Sequence, residues 1–75
     1  MENYRYTVII EPDEEGGYSA SCPALEGCVS QGDTYDEALE NIREAIAAYI
    51  ESLKKHNEPI PGDVDVKVQS VQVAA

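Results

Sequence analysis

Carboxylates are the side chains of this sequence that are numerous and close enough to do chemistry. Four of them lie together near two glycines: Glu11, Asp13, Glu14 and Glu15. A two-metal nuclease site needs several carboxylates that converge on the metal ions. Glu11 lies only at the end of the first predicted strand, and adjacent acids on a turn usually form a solvated, mutually repelling patch. We therefore predict no metal site and no catalysis here, and a possible contact surface for a partner protein.

The other reactive side chains are too few and too poorly spaced for a site. Cys22 and Cys28 lack a CxxC-like spacing, and His56 is the single histidine, so a tetrahedral zinc shell would be incomplete. In a reducing compartment such cysteines mostly pack as small apolar residues, and His56 is placed to cap a helix end. The sequence thus predicts no enzyme, no catalytic residue, no metal and no cofactor.

The charge balance narrows the class of partner. The chain has 15 acidic and 5 basic residues, a formal net charge of -10. This charge repels phosphate backbones and anionic lipids and attracts a basic protein, although it could also serve solubility alone. Residues 1–5 (MENYR) lack the pattern of a signal peptide, and no apolar stretch approaches the length of about 18 residues that spans a membrane. We expect a cytoplasmic protein with no direct nucleic-acid or membrane contact.

Apolar alternation predicts a β-hairpin followed by a third strand. Residues 4–11 and 18–22 alternate between apolar and polar side chains, and residues 12–17 (PDEEGG) form a turn between them. Pro23 ends the second strand because it lacks an amide hydrogen. Residues 28–32 are predicted to form the third strand.

A long helix follows. Thr34 and Glu37 fit a capping box, and apolar residues then recur at helical spacing from Ala38 to Leu53. The helix is predicted to end near residues 54–56, where cations suit the helix dipole, before Pro59.

A fourth strand is predicted after the helix, where Val64, Val66 and Val68 alternate with polar residues. We expect one domain over residues 1–75, a two-layer α+β arrangement of type β-β-β-α-β with one helix packed on a four-stranded mixed sheet of order 3-2-1-4. Its predicted core is Tyr6, Val8, Ile10, Tyr18, Ala20, Leu39, Ile42, Ile46, Ile50, Val66 and Val68. Open sheet edges on so small a domain predict a homo-oligomer, a dimer or a tetramer.

Three segments resemble the HicB-like antitoxin family. Residues 27–34 (GCVSQGDT) and 37–46 (EALENIREAI) resemble its central signature, and residues 18–23 (YSASCP) are similar to its second strand. The resemblance implies a degraded ribonuclease-H-like fold and a protein that neutralises a small, basic, RNA-cleaving HicA toxin. Many relatives add a C-terminal DNA-binding segment. Because this sequence stops at Ala75, we expect a short form without repressor function.

Three functions remain open from the sequence. The first is an antitoxin-like module that covers the RNA-binding or active face of its toxin, with Glu11, Asp13, Glu14 and Glu15 as the candidate contacts and the exposed helix face as an equal alternative. The second is a solitary homo-oligomeric protein without a toxin. The third is a vestigial nuclease, which the carboxylate positions disfavour.

Overall fold

The structure is a computed structural model that describes residues 3–75. Its elements are three strands and one helix: β1 (Ile9–Pro12), β2 (Tyr18–Ser21), β3 (Val29–Gly32) and α1 (Tyr35–Lys55). Both strand pairs are antiparallel, and the sheet order is β1-β2-β3. The predicted α+β class, with a hairpin, a third strand and a single helix, is confirmed. The helix packs on one face of the sheet, mainly over β3 and β2.

The first strand is shorter than the alternation predicted. Residues 4–8 were assigned to it, but pairing with β2 begins only at Ile9, which lies opposite Ser21. Pro23 provides the physical reason, because β2 ends just before it and leaves the earlier residues without a neighbouring strand. Tyr6 and Val8 nevertheless pack against the core, so residues 3–8 form a segment that is buried on one side and unpaired in the sheet.

Local signals set both ends of the helix. The Thr34 hydroxyl accepts a hydrogen bond from the Glu37 amide at 3.1 Å, as the capping motif predicts. At the other end Asn57 takes a left-handed conformation (φ 55°), and the amide of Glu58 donates to the carbonyl of Leu53 at 2.9 Å. This is a Schellman-type stop. The helix therefore ends before Pro59 takes effect, and His56 Nδ1 lies 2.8 Å from the Ser52 carbonyl oxygen.

The core contains one residue, Leu25, that the sequence pattern did not predict to be buried. Leu25 lies in the connection between β2 and β3 and is only 1% exposed. Two backbone hydrogen bonds of 3.0 Å, from Leu25 to Cys22 and from Cys28 to Leu25, fold this connection under the sheet. The fully buried set is Ala20, Cys22, Leu25, Cys28, Ala38, Ile42 and Ile50. Most of the other predicted core residues are half-buried around it, but Val68 is 90% exposed.

The C-terminal part of the chain is attached to the body at one place and then leaves it. The Tyr6 hydroxyl donates to the Pro61 carbonyl, and the Asp63 carboxylate accepts from the Thr7 amide at 2.9 Å and from the Thr7 hydroxyl at 2.7 Å. Residues 64–75, here called the arm, form no strand. The predicted four-stranded mixed sheet is thus corrected to a three-stranded sheet in the described chain, because no strand of the body lies beside the arm.

The arm also changes the dimensions of the molecule. The radius of gyration is 14.6 Å, whereas a compact domain of this length has about 11 Å. The principal extents of 51 × 26 × 19 Å show the same elongation. Residues 3–63, here called the body, therefore hold the fold, and the arm projects from it.

Candidate partner-binding site

The acidic turn between β1 and β2 is held by its own backbone. The Asp13 amide donates to the Gly17 carbonyl at 2.9 Å, and the Gly16 amide donates to the Asp13 carbonyl at 3.0 Å. The Asp13 carboxylate also accepts from the Glu15 amide at 3.1 Å. These bonds fix the direction of the turn, so that its carboxylates are presented from a defined position.

The turn lies against the beginning of the helix because two glycines meet there. In the β2–β3 register Tyr18 is opposite Gly32, which brings residue 17 beside the end of β3. A Cβ on Gly17 would lie 2.6 Å from the Gly32 carbonyl oxygen, and Gly17 has a φ of 75°. Only glycine fits this approach at this conformation.

This contact combines carboxylates from two parts of the chain. Asp13 and Glu15 of the turn share a depression of about 400 Å³ with Asp33 and Glu37 of the β3–α1 junction. These four residues are called the acidic rim. Gln31 and Asn41 also line the depression, and Asn41 Nδ2 donates to the Gln31 carbonyl at 2.8 Å.

Two of the four predicted contact residues therefore belong to the rim and two do not. Glu11 and Glu14 are exposed but do not line the depression. Asp33 and Glu37 were not predicted as contacts, since the sequence motif assigned Glu37 only to helix capping. An antiparallel β2–β3 pair places the start of β2 opposite the end of β3, so this register was the signal that could have revealed them.

The rim offers acceptors for a cationic surface. No residue lining the depression is basic among those that the structure describes. Carboxylates accept strong, charge-assisted hydrogen bonds from arginine and lysine. Within residues 3–75 no three His, Cys, Asp or Glu side chains are grouped so that they could hold a metal ion. The arrangement is suited to binding basic side chains.

Aromatic surface adjoins the rim. Tyr18 lines the depression, and its ring meets the ring of Tyr35 edge-on, with the centroids 6.2 Å apart. Tyr35 is 53% exposed at the first turn of the helix. Exposed tyrosines beside charges are typical anchor residues of protein interfaces.

The cysteines belong to the core, as the sequence interpretation held. Cys22 and Cys28 are buried and unbridged, and the Cys22 amide donates to the Cys28 carbonyl at 3.0 Å. Burial raises the pKa of both thiols, and the negative charge of Asp63 further raises that of Cys22. Both thiols therefore stay protonated at neutral pH and are poor nucleophiles.

A second concave surface lies between residues 3–8 and α1, and is called the groove. Two adjoining depressions form it and share Tyr4, Arg43 and Ile46. Arg5 and Lys54 also line it, and the Lys54 ammonium lies 5.3 Å from the centre of the Tyr4 ring. The groove thus carries three of the five Lys and Arg residues of the chain, whereas the rim carries only carboxylates. In the described part of the chain, α1 is too polar to cross a membrane.

Comparison with known proteins places the chain in a family. The sequence model of one protein family, described as the HicB-like antitoxin of bacterial toxin-antitoxin systems, matches residues 6–74 of this chain. A UPF0150 protein of Synechocystis is 54% identical over 71 residues, covering 93% of this chain and 90% of that protein. A UPF0150 protein of Thermoplasma acidophilum is 66% identical over 59 residues, covering 79% and 86%. Antitoxin HicB 1 of Photorhabdus laumondii is 44% identical over 66 residues, covering 85% of this chain but only 43% of the antitoxin. This chain belongs to the HicB-like antitoxin family.

Proposed function

We propose that this chain is a cytoplasmic antitoxin that neutralises a small, basic, RNA-cleaving toxin of the HicA type by covering its RNA-binding or active face. The acidic rim supports this proposal most directly, because it unites carboxylates from two segments on one surface of a family member with a net charge of -10. The function is binding alone, with no catalytic residue, cofactor or direct contact to nucleic acid or membrane.

The physical basis is competition for the same cations. A protein surface that binds RNA is basic, because it must neutralise phosphates. Carboxylates at the rim can pair with those Arg and Lys side chains and occupy the place of the substrate. Tyr35 would add apolar area beside the rim, while Glu11 and Glu14 would lie at the margin of the contact and contribute mainly to the rate of encounter.

Charge reversal at the rim tests this assignment. Glu15 and Asp33 are the residues to change, since the side chain of Asp13 stabilises the turn and a lysine at position 37 would put positive charge in the first turn of α1, where the helix dipole disfavours it. We expect Glu15→Lys with Asp33→Lys to weaken binding of the toxin roughly tenfold or more and to flatten its salt dependence. The partner in this test is the product of the neighbouring gene, and binding is measured by calorimetry at two salt concentrations.

A matched control separates the local effect from net charge. Glu26→Lys with Glu58→Lys makes the same change in charge at exposed positions outside the rim, the helix and the groove. We expect this variant to keep most of its affinity. If both double variants lose the same affinity for the toxin, the effect comes from net charge and not from the rim. If the first variant keeps its affinity, the assignment of the rim is overturned.

The second candidate function is a solitary homo-oligomer, a dimer or a tetramer, with no toxin partner. The valines of the arm favour it, since Val68, Val71 and Val73 are largely exposed and such surface is often covered by another chain. Coexpression with the neighbouring gene discriminates the two functions. A stoichiometric complex with rescue of growth supports the antitoxin, whereas a product that is neither toxic nor bound supports the solitary oligomer.

A further inference from the structure

The arm and β1 are two incomplete halves of a strand pair. β1 pairs with β2 on one side and with no strand of the described chain on the other. The arm forms neither helix nor strand and projects from the body, and Val64, Val66 and Val68 alternate with polar residues along it. A free strand edge and an unpaired apolar strand are the two components of strand addition between chains.

We propose that the arm is exchanged between two copies of this chain: each arm adds to the open side of the other copy's β1 and places its valines in the groove beside it. This inference deepens the self-association proposed above and is independent of any toxin. Main-chain hydrogen bonds would attach the arm, and its alternate side chains would enter the groove.

The groove has the surface that such valines need. The helix lies mainly over β3 and β2, and the two depressions of the groove remain between it and residues 3–8. The apolar residues lining the groove there include Tyr4, Val8, Leu39, Ile46, Ala47 and Ile50. Covering this surface with valines would remove apolar area from water on both chains.

The distribution of charge favours a second copy of this chain as the occupant of the groove. The arm contains Asp65 and Lys67, which pair with each other at 3.1 Å, so the formal charge of -10 belongs to residues 1–63. Two such bodies repel each other. A neutral arm does not add to that repulsion, and the groove that would receive it has a net positive lining, with Arg5, Arg43 and Lys54 against Glu51.

The position at which the arm leaves the body favours exchange over closure on its own chain. Asp63 is bound to Thr7. Ile9 lies opposite Ser21, so Thr7 lies beyond the paired ends of β1 and β2, and the arm begins there. In the described chain the arm does not return along β1: it pairs with no strand, and Val68 is 90% exposed. An arm of about 40 Å, at about 3.3 Å per residue, can reach a neighbouring copy.

The test is the mass of the purified full chain, without any toxin, by sedimentation equilibrium. We expect a dimer at micromolar concentration. Val68→Lys on the arm and Ala47→Arg in the groove should each weaken dimerisation at least tenfold. Their matched controls are Val29→Lys, at a 67% exposed valine of β3, and Ala48→Arg, at the exposed helix residue next to Ala47. Both controls should remain dimeric.

Mixing the two weakened variants distinguishes exchange from closure. A mixed pair keeps one intact arm and one intact groove that fit each other, whereas each variant alone keeps none. We therefore expect dimers to return on mixing. A monomeric wild-type chain, full dimerisation of either weakened variant, or no recovery on mixing would each overturn the exchange, and none of these results bears on toxin binding.

Discussion

The acidic rim and the arm show two different ways in which this chain presents a surface. The rim is charged and rigid: Asp13 is held by backbone bonds of its turn, and Glu37 follows a capped helix start. The arm is rich in valine, its start is attached to the body through the Tyr6–Pro61 and Thr7–Asp63 contacts, and most of its residues are exposed. Charges can face water without a partner, but a row of valines on an unpaired strand cannot do so without cost. The rim is thus complete in one chain, whereas we propose that the arm is completed by a second copy.

The largest effect expected from this contrast is on stability. Leu25→Ala leaves a cavity in the body at a side chain that is 1% exposed, and we expect it to lower the free energy of unfolding by about 3 kcal/mol. Val68→Ala removes a side chain that is 90% exposed, and in dilute protein it should cost almost nothing. Denaturant unfolding measures both.

The two substitutions should also differ in how their effects on stability depend on protein concentration. If arms are exchanged, the effect of Val68→Ala grows as the concentration rises and dimers form, because oligomerisation contributes to apparent stability. The effect of Leu25→Ala should be present at every concentration. A large cost of Val68→Ala in the monomer would contradict the distinction between body and arm.

The next largest effect on stability is expected at Gly32, which lines the depression of the acidic rim. Gly32→Ala would bring a Cβ to 2.8 Å from both the carbonyl carbon and the Cβ of Glu37. The helix start would have to shift, at a cost of about 2 kcal/mol. Gly62→Ala is the matched control, since no atom lies within 4 Å of the added Cβ.

Thermal unfolding and toxin binding should respond together at Gly32. The shift moves Glu37 relative to the turn, so Gly32→Ala is expected to weaken the rim's contact as well as the fold, while Gly62→Ala leaves both unchanged. Normal stability of Gly32→Ala would show that the close approach of β3 and α1 is not required.

The elements that could be predicted from the sequence are those with local causes. Thr34 begins the helix through its own hydroxyl, and Pro23 ends β2 because it has no amide hydrogen. Leu25 escaped prediction because its burial depends on the fold of a connection that resembles an ordinary loop. The rim escaped in part because Asp33 joins Asp13 only through the strand register.

The arm shows a different limit of sequence patterns. Its alternation of valines correctly describes a chain suited to a strand, since β-propensity reflects the fit to a pleated, half-buried surface. A strand also needs a neighbour, and alternation does not say which chain supplies it. The same pattern therefore predicted a fourth strand within the sheet, where the structure has an arm that pairs with no described strand.

The smallest expected effect concerns the attachment of the arm and depends on pH. Hydrogen bonds from the amide and the hydroxyl of Thr7 lower the pKa of the Asp63 carboxyl below its ordinary value of 3.8. A lowered pKa in the folded state means that the attachment is fully present at neutral pH and is lost as the pH falls through that lowered pKa. Because Asp63 is exposed to solvent, the loss should loosen the arm without unfolding the body.

NMR titration of the Asp63 carboxyl carbon should give a midpoint below 3.8, and the Thr7 amide resonance should move with it. In Thr7→Val, which keeps the amide donor but not the hydroxyl, the midpoint should rise part of the way towards 3.8. An unchanged midpoint in this variant would show that the hydroxyl does not stabilise the Asp63 carboxylate. The contact between Thr7 and Asp63 would then depend on the Thr7 amide alone.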